Sequence, residues 1–195
     1  MDKLVFSKFL STYAVDNTVS TDSGAEVPES IKVIEGARDF LVNYQGASFG
    51  GGVYKVLPLR DVKKWNHIVL GIFSQFDGQI ECFGIDWLGR VFAWDFENNK
   101  VLSLDPGFGE AITIPCSFVE LHNIEFVEYS DESLSSGLYH EYVSKNGKLE
   151  LGNKCIGYRV SPFLGGEDTV DNLEAIDSEV YWSISTEIFN KVQSM

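Results

Sequence analysis

Carboxylates are the residues whose types and spacing could do chemistry in this chain. Asp131-Glu132 and Glu167-Asp168 are adjacent pairs, and Asp171 and Glu174 follow the second pair within one short stretch. Paired carboxylates can divide acid and base work or hold a divalent cation. Glu167, Asp168 and Asp171 follow Gly165-Gly166, a tolerable place for a cation loop, yet the alternating oxygen ligands of a calcium loop are missing. A solvated acidic loop is the plainer reading. Protein recognition comes next, with Tyr158, Phe163 and Trp182 as aromatic anchors beside the acids. Core packing competes for all three aromatics and is preferred for Trp182, which lies in an amphipathic helix.

Other chemistry is sparse. His67, His122 and His140 fall in separate predicted helices, and neither H-x-x-x-H nor H-E-x-x-H occurs, so a zinc hydrolase has no support. There is no G-x-S-x-G elbow. Cys82, Cys116 and Cys155 are widely spaced, lie in or beside apolar stretches and form no C-x-x-C pair, which points to buried, reduced thiols. Cys116 and His122 are close in sequence, but Cys116 falls just outside the helix that carries His122. Gly46–Gly52 is glycine-rich, yet it leads into a strand and lacks the following Lys-Ser or Lys-Thr of a phosphate loop. No catalytic residue, metal or cofactor is expected.

Charge narrows the partners. The net charge is −14, with 29 acidic and 15 basic side chains. Residues 1–119 carry net −5 and residues 120–179 carry net −9, so the excess is concentrated in the C-terminal third. Direct nucleic-acid binding needs a basic face and is disfavoured. Solubility alone accounts for an acidic surface; the sharper reading is an acidic face aimed at a basic partner. No apolar run reaches the length of a membrane span, and MDKLVFSKFLSTY makes a poor signal peptide, so a cytoplasmic protein without membrane contact is expected.

The elements that must position these residues follow from periodicity. Residues 1–27 read as weakly structured, with Leu4, Val5, Phe6, Phe9 and Leu10 able to make a turn or two of helix, and Asp16 to Ala25 as a polar loop. Residues 28–195 read as one domain. Ile31, Ile34, Phe40, Leu41 and Tyr44 form a helical stripe interrupted near Gly36. Val53–Leu57 alternates like a strand. Leu59 to Phe76 reads as one amphipathic helix, with Val62, Trp65, Val69, Ile72, Phe73 and Phe76 on its apolar face. Four strands follow with short turns, Gln79–Ile85, Arg90–Phe96, Val101–Leu104 and Ala111–Ile114, which implies an antiparallel meander.

Ser117 and Glu120 form a capping-box pattern opening a helix with Phe118, Leu121, Ile124 and Val127 inward. A second helix covers about Ser133 to Ser144, with Leu134, Leu138, Tyr139 and Tyr142 inward. Cys155–Val160 reads as a strand, Pro162 to Asn172 as a loop and Leu173–Ile176 as a strand edge. Ser178 to Val192 reads as a helix with Val180, Tyr181, Ile184, Ile188 and Phe189 inward. The expected fold class is α+β: an antiparallel meander packed by N- and C-terminal helices.

At the centre of the chain, Cys82–Trp94 (CFGIDWLGRVFAW) reads as a tight hairpin. Its turn residues Asp86, Trp87, Gly89 and Arg90 fit either a contact tip or a structural turn with an internal ion pair, the second being favoured.

Four ordered stretches carry a family resemblance: FGGGVYKVL (49–57), CFGIDWLGRVFAWD (82–95), PGFGEAITIPCSF (106–118) and CIGYRVSPFLGGEDTVDNLEAIDSEVYW (155–182). Together they resemble bacterial type VI secretion immunity proteins paired with DNase effectors, which join a GAD-like N-terminal region to a C-terminal immunity region and are SUKH-like in style. The resemblance spans about Pro28 to Val192. It implies a GAD-like part over 28–115, a helical immunity part over 116–195, and a non-enzymatic protein that binds and blocks a cognate toxin. The DWLGR segment is the family motif. Asp131, Glu132, Glu167, Asp168, Asp171 and Glu174 are then the expected partner contacts, docking on the basic cleft of a nuclease. The rivals are a SUKH-type regulatory or scaffold domain that binds a cellular protein, and a hydrolase built on the carboxylates.

Overall fold

In the computed structural model the described residues are 5–17, 27–149 and 152–194. Leu4 and most of the predicted Asp16–Ala25 loop lie outside them. The chain begins with helix α1 (Ser7–Thr12), then α2 (Glu29–Lys32) and α3 (Ala37–Tyr44), broken where Gly36 takes φ +76°. The first strands are β1 (Ser48–Phe49) and β2 (Tyr54–Val56). Helix α4 (Val62–Val69) leads to the hairpin strands β3 (Ile80–Asp86) and β4 (Val91–Asp95), then β5 (Lys100–Asp105) and β6 (Glu110–Ile114). Strands β1 to β6 form one antiparallel meander in sequence order. The fold is α+β, as the closely spaced strands predict.

The meander is covered on both faces, which its side-chain alternation requires. Along β4, Phe92 and Trp94 enter the core under the N-terminal and central helices, while Val91 and Ala93 enter a second core under α4 and the C-terminal helix. All five residues of β4 are buried. Burial of a side chain the size of Val91 or Phe92 contributes about 1.5–3 kcal/mol.

Beyond the sheet come α5 (Phe118–Glu120), a π-helical stretch (Leu121–Glu125), α6 (Phe126–Glu128), α7 (Ser130–Leu134) and α8 (Ser136–Asn146). Strands β7 (Lys154–Tyr158) and β8 (Leu173–Asp177) pair in a separate two-stranded sheet, and α9 (Ser178–Gln193) closes the order. The Ser117–Glu120 capping box forms with both reciprocal bonds.

The turn or two of helix expected near the N-terminus forms and packs on the body: Phe6 and Phe9 are fully buried against Phe40 and His122. Other expectations need correction. The helix predicted over Ser133 to Ser144 is broken at Ser135, where φ is +50°. The predicted helix over Leu59 to Phe76 stops at Val69, with 3-10 turns at Leu59–Asp61 and Ser74–Phe76. Its break comes where Gly71 meets Thr186 of α9 so closely that a Cβ would lie 2.7 Å from the Thr186 methyl. The helix opened by Ser117 buries His122 and Phe126, leaving Ile124 and Val127 half-buried. Its π-helical turn inserts extra residues per turn and so advances the buried face past the positions an α-helix would choose. Helix α9 buries Tyr181, Trp182 and Ser185, while Val180 and Ile184 are 48% and 47% exposed.

The α9 phase is set at its start. The Asp177 carboxylate caps the Glu179 and Val180 N–H groups, and Trp182 is drawn into the sheet.

Candidate functional site

The DWLGR turn is buried and ties the β3–β4 hairpin to α7, β7 and α9. Asp86 is fully buried, and its Oδ1 accepts the Leu88 and Arg90 N–H groups at 3.0 and 2.9 Å. Arg90 Nε donates to Asp86 Oδ2 at 2.6 Å, and its terminal nitrogen donates to the Ser133 carbonyl. Burial pushes the Asp86 carboxyl up to about 6, while the Arg90 guanidinium opposes that shift and keeps it ionised at neutral pH. Gly89 takes φ +81° at the turn, a conformation glycine adopts without strain.

Trp87 and Gly89 extend the same hub. The Trp87 indole N–H donates to the Leu134 carbonyl at 2.8 Å, and the Trp87 carbonyl accepts the Ile156 N–H at 2.7 Å. The Trp182 indole N–H donates to the Gly89 carbonyl at 2.8 Å. Four side chains or backbone groups of one turn thus reach α7, β7 and α9. None of Asp86, Trp87 or Gly89 is presented to solvent.

The six predicted contact acids are all exposed, but they are not equivalent. Asp131 Oδ1 accepts the Gly137 N–H at 2.8 Å and so holds the start of α8. Asp168 accepts the Tyr158 hydroxyl at 2.6 Å. Asp171 pairs with Lys145, and Glu174 with Arg159 at 3.4 Å. Lys145 holds the Asp171 carboxyl below its ordinary range. Glu132 and Glu167 make no ion pair among the described residues.

Asp168, Asp171 and Glu174 are brought together with Glu167 around the loop that joins β7 to β8; Asp131 and Glu132 stand apart on α7. The loop is held closely from below. Gly166 lies so near the Val160 carbonyl that a Cβ would come within 1.9 Å of its oxygen, and the Asn172 amide bonds the carbonyls of Val160 and Glu167. The depression beside it is open and about 340 Å³, lined by Val160, Gly166, Glu167, Thr169, Asp171 and Asn172. It has the form of a surface for contact rather than a cleft that encloses a small substrate.

The aromatic anchors divide. Trp182 is core and Tyr158 is buried to its hydroxyl, while Phe163 is half-buried and stacks edge-on against Phe189. Leu164, next to it, is 47% exposed.

Among the described residues no group of three His, Cys, Asp or Glu side chains is arranged to hold a metal ion. The acids of the β7–β8 loop frame an open depression and not an enclosed cleft, a geometry that does not favour the carboxylate-hydrolase reading. Cys82, Cys116 and Cys155 are buried and free, and burial raises all three thiols, Cys116 and Cys155 to about 12, far from the thiolate a nucleophile needs.

His122 sits inside the aromatic core, bonded through Nδ1 to the Phe118 carbonyl at 2.8 Å and through Nε2 to the Tyr54 hydroxyl at 3.3 Å. Burial lowers its pKa to about 3, so it packs as a neutral ring. The glycine turn has its own internal anion: Gly51 and Gly52 donate their N–H groups to the Asp16 carboxylate at 2.8 and 3.0 Å.

Sequence reasoning missed two surface features. The exposed flank of α9, with Val180 and Ile184, has the apolar period of a buried stripe. The outer edge of β6 is hidden because which backbone groups face outward depends on strand pairing and not on residue type.

Fold and surface define the class: an acidic α+β protein with exposed carboxylates on its C-terminal part and a buried polar hub at its central turn. Residues 118–189 match the family model described as "T6SS immunity protein Tdi1, C-terminal". That stretch runs from α5 into α9 and contains the whole β7–β8 unit. The likeness is therefore to a family of type VI secretion immunity proteins and is confined to this C-terminal stretch. Among solved structures, the crystal structure of Atu4351 from Agrobacterium tumefaciens has a similar fold, with a TM-score of 0.64 over 93% of this chain and 88% of that one, at 15% identity. No curated protein matches the chain. Among the described residues, no helix is long and apolar enough to cross a membrane.

Proposed function

We propose that this chain is a cytoplasmic immunity protein that neutralises a cognate nuclease toxin by laying its acidic surface over the toxin's basic cleft. Residues 28–115 are the GAD-like part and residues 116–195 the immunity part. The observation that carries the reading is the exposure of Glu167, Asp168, Asp171 and Glu174 around one closely held loop within the stretch that matches the immunity family model. A nuclease must present positive charge to a polyphosphate, and an acidic protein competes for the same surface. Electrostatic steering also speeds encounter, which suits a protein that must reach its toxin before damage is done. Asp131 and Glu132 form a second, outlying contact. The Asp86–Arg90 turn acts behind this surface by holding α7, β7 and α9 in place.

The test is co-expression with the toxin encoded by the neighbouring gene. The chain should restore growth and form a complex with the toxin. Simultaneous charge reversal at Glu167, Asp168, Asp171 and Glu174 should abolish both, with circular dichroism showing that the variant still folds. A complex that survives the reversal sinks the acidic docking mechanism, and a neighbouring product without toxicity sinks the immunity reading itself.

A further inference from the structure

The two edges of the six-stranded sheet differ. At β1, Val15 bridges Phe49, and the Asp16 N–H donates to the Ser48 carbonyl at 2.9 Å, so the N-terminal segment lies along that edge. At β6, no strand among the described residues pairs with the outer side. Glu110, Ile112 and Thr113 are exposed, Ile112 at 55%.

Hydrogen-bond phase identifies the backbone groups that point outward. The Phe96 N–H, just past β4, donates to the Gln79 carbonyl at 3.0 Å, and the Asp86 N–H donates to the Arg90 carbonyl at 3.0 Å. Even-numbered residues of β4 therefore turn their backbone groups toward β3. Alternate residues of a strand turn to opposite sides, so Val91, Ala93 and Asp95 bond β5. The register places them opposite Leu104, Leu102 and Lys100. That leaves Val101, Ser103 and Asp105 to bond Ile114, Ile112 and Glu110. Ala111 and Thr113 then direct their N–H and C=O groups away from the sheet.

Exposed edges are normally blunted by proline, lysine, a bulge or a covering segment. The β6 sequence, EAITI, contains no proline and no lysine, and its register with β5 is unbroken.

We propose that the β6 edge receives an extended segment of the toxin, which adds to the meander as a seventh strand. This rests on the reading of the chain as an immunity protein and adds a second, backbone-mediated contact to the acidic surface. The chemistry of the edge describes its occupant. Ile112 and Ile114 share one face, which calls for an apolar side chain beside them. Glu110 opens the strand, and the Glu120 carboxylate lies against Ser117 just past its end, so lysine or arginine belongs at both ends of the incoming segment. A second copy of this chain is the poorer occupant, because each copy carries −14.

Thr113→Pro isolates the edge. It removes an outward N–H and places a ring there, while Ile112 and Ile114 keep their bonds to β5; proline is tolerated at such edge positions. Thr113→Val leaves the backbone intact. The probe is the neighbouring gene's toxin, inactivated in its own catalytic site. Thr113→Pro should weaken the complex on the order of tenfold or more, and Thr113→Val should leave it unchanged.

Hydrogen exchange on the unaltered chain gives a readout independent of any variant. The Ala111 and Thr113 amides should exchange fast in the free protein and become protected in the complex. Equal affinity for Thr113→Pro, or amides that stay unprotected, overturns the proposal while leaving the immunity function standing. A dimer of the free chain that Thr113→Pro dissociates also overturns it, by placing a second copy on the edge. Failure of the unaltered chain to bind the toxin at all removes both.

Discussion

The indole N–H of Trp182 donates to the carbonyl of Gly89 at 2.8 Å, joining the C-terminal helix to the hairpin turn across 93 positions of sequence. Both groups are removed from water, so the carbonyl has no substitute partner if the indole is lost. Trp182→Phe should cost about 1–3 kcal/mol through the unsatisfied carbonyl, and Trp182→Ala about 3–5 kcal/mol once the cavity is added. Urea denaturation checks both values. A neutral Trp182→Phe would mean that the hub is not a structural joint.

Asp86 and Arg90 should behave as a unit. Removing one partner leaves a buried charge uncompensated, so Asp86→Asn and Arg90→Leu should each destabilise by about 3–5 kcal/mol. The double variant should recover part of that loss, because the second change removes the stranded group. A double-mutant cycle measures the coupling, and strict additivity would contradict the buried pair.

His122 sets a pH dependence with a definite sign. Burial lowers its folded pKa from the ordinary 6.5 to about 3, so the unfolded chain binds the proton more readily. Its contribution is intact above pH 6.5 and is lost progressively as pH falls toward 3, at about 1.4 kcal/mol per pH unit. Asp86 works in the opposite sense between pH 6 and 3.8, because its folded pKa is raised to about 6 and the folded state takes up the proton first. The two partly cancel in the intact chain. The stability difference between it and His122→Phe should therefore be read across pH 6 to 4. It should shift by about 1.4 kcal/mol per unit in favour of the phenylalanine variant as pH falls. A difference that stays constant with pH would show that the ring is not buried neutral.

The meander was legible because its strands are short, apolar and separated by turn residues, and local patterning alone produces antiparallel neighbours under those conditions. The capping box at Ser117 was legible because both of its partners lie within one turn. The failures have tertiary causes. Val180 and Ile184 have the period of a buried stripe, yet Trp182 reaches for Gly89 and rotates α9 away from them. Leu121–Glu125 adopts a π-helical turn that the apolar spacing does not announce, so His122 and Phe126 replace Ile124 and Val127 inside. The acids of the candidate site were found by type and spacing, but Lys145 and Arg159, which pair with two of them, come from α8 and from the residue just past β7.

That pairing leads to a prediction about the proposed contact surface. An acid already held by a lysine must exchange one cation for another when it meets a basic partner, whereas Glu167, with no ion pair among the described residues, gains one. Glu167→Gln should therefore weaken toxin binding more than Asp171→Asn. The same logic inverts the usual expectation for the surface cations. Lys145→Ala frees Asp171, Arg159→Ala frees Glu174, and each makes the surface more negative by one charge. Both variants should bind a basic toxin several-fold more tightly, chiefly through faster association, and the gain should shrink as salt is raised from low to physiological strength. Surface plasmon resonance at two ionic strengths measures it. Weaker binding by Lys145→Ala would place Lys145 itself in the contact and remove Asp171 from the acidic docking surface.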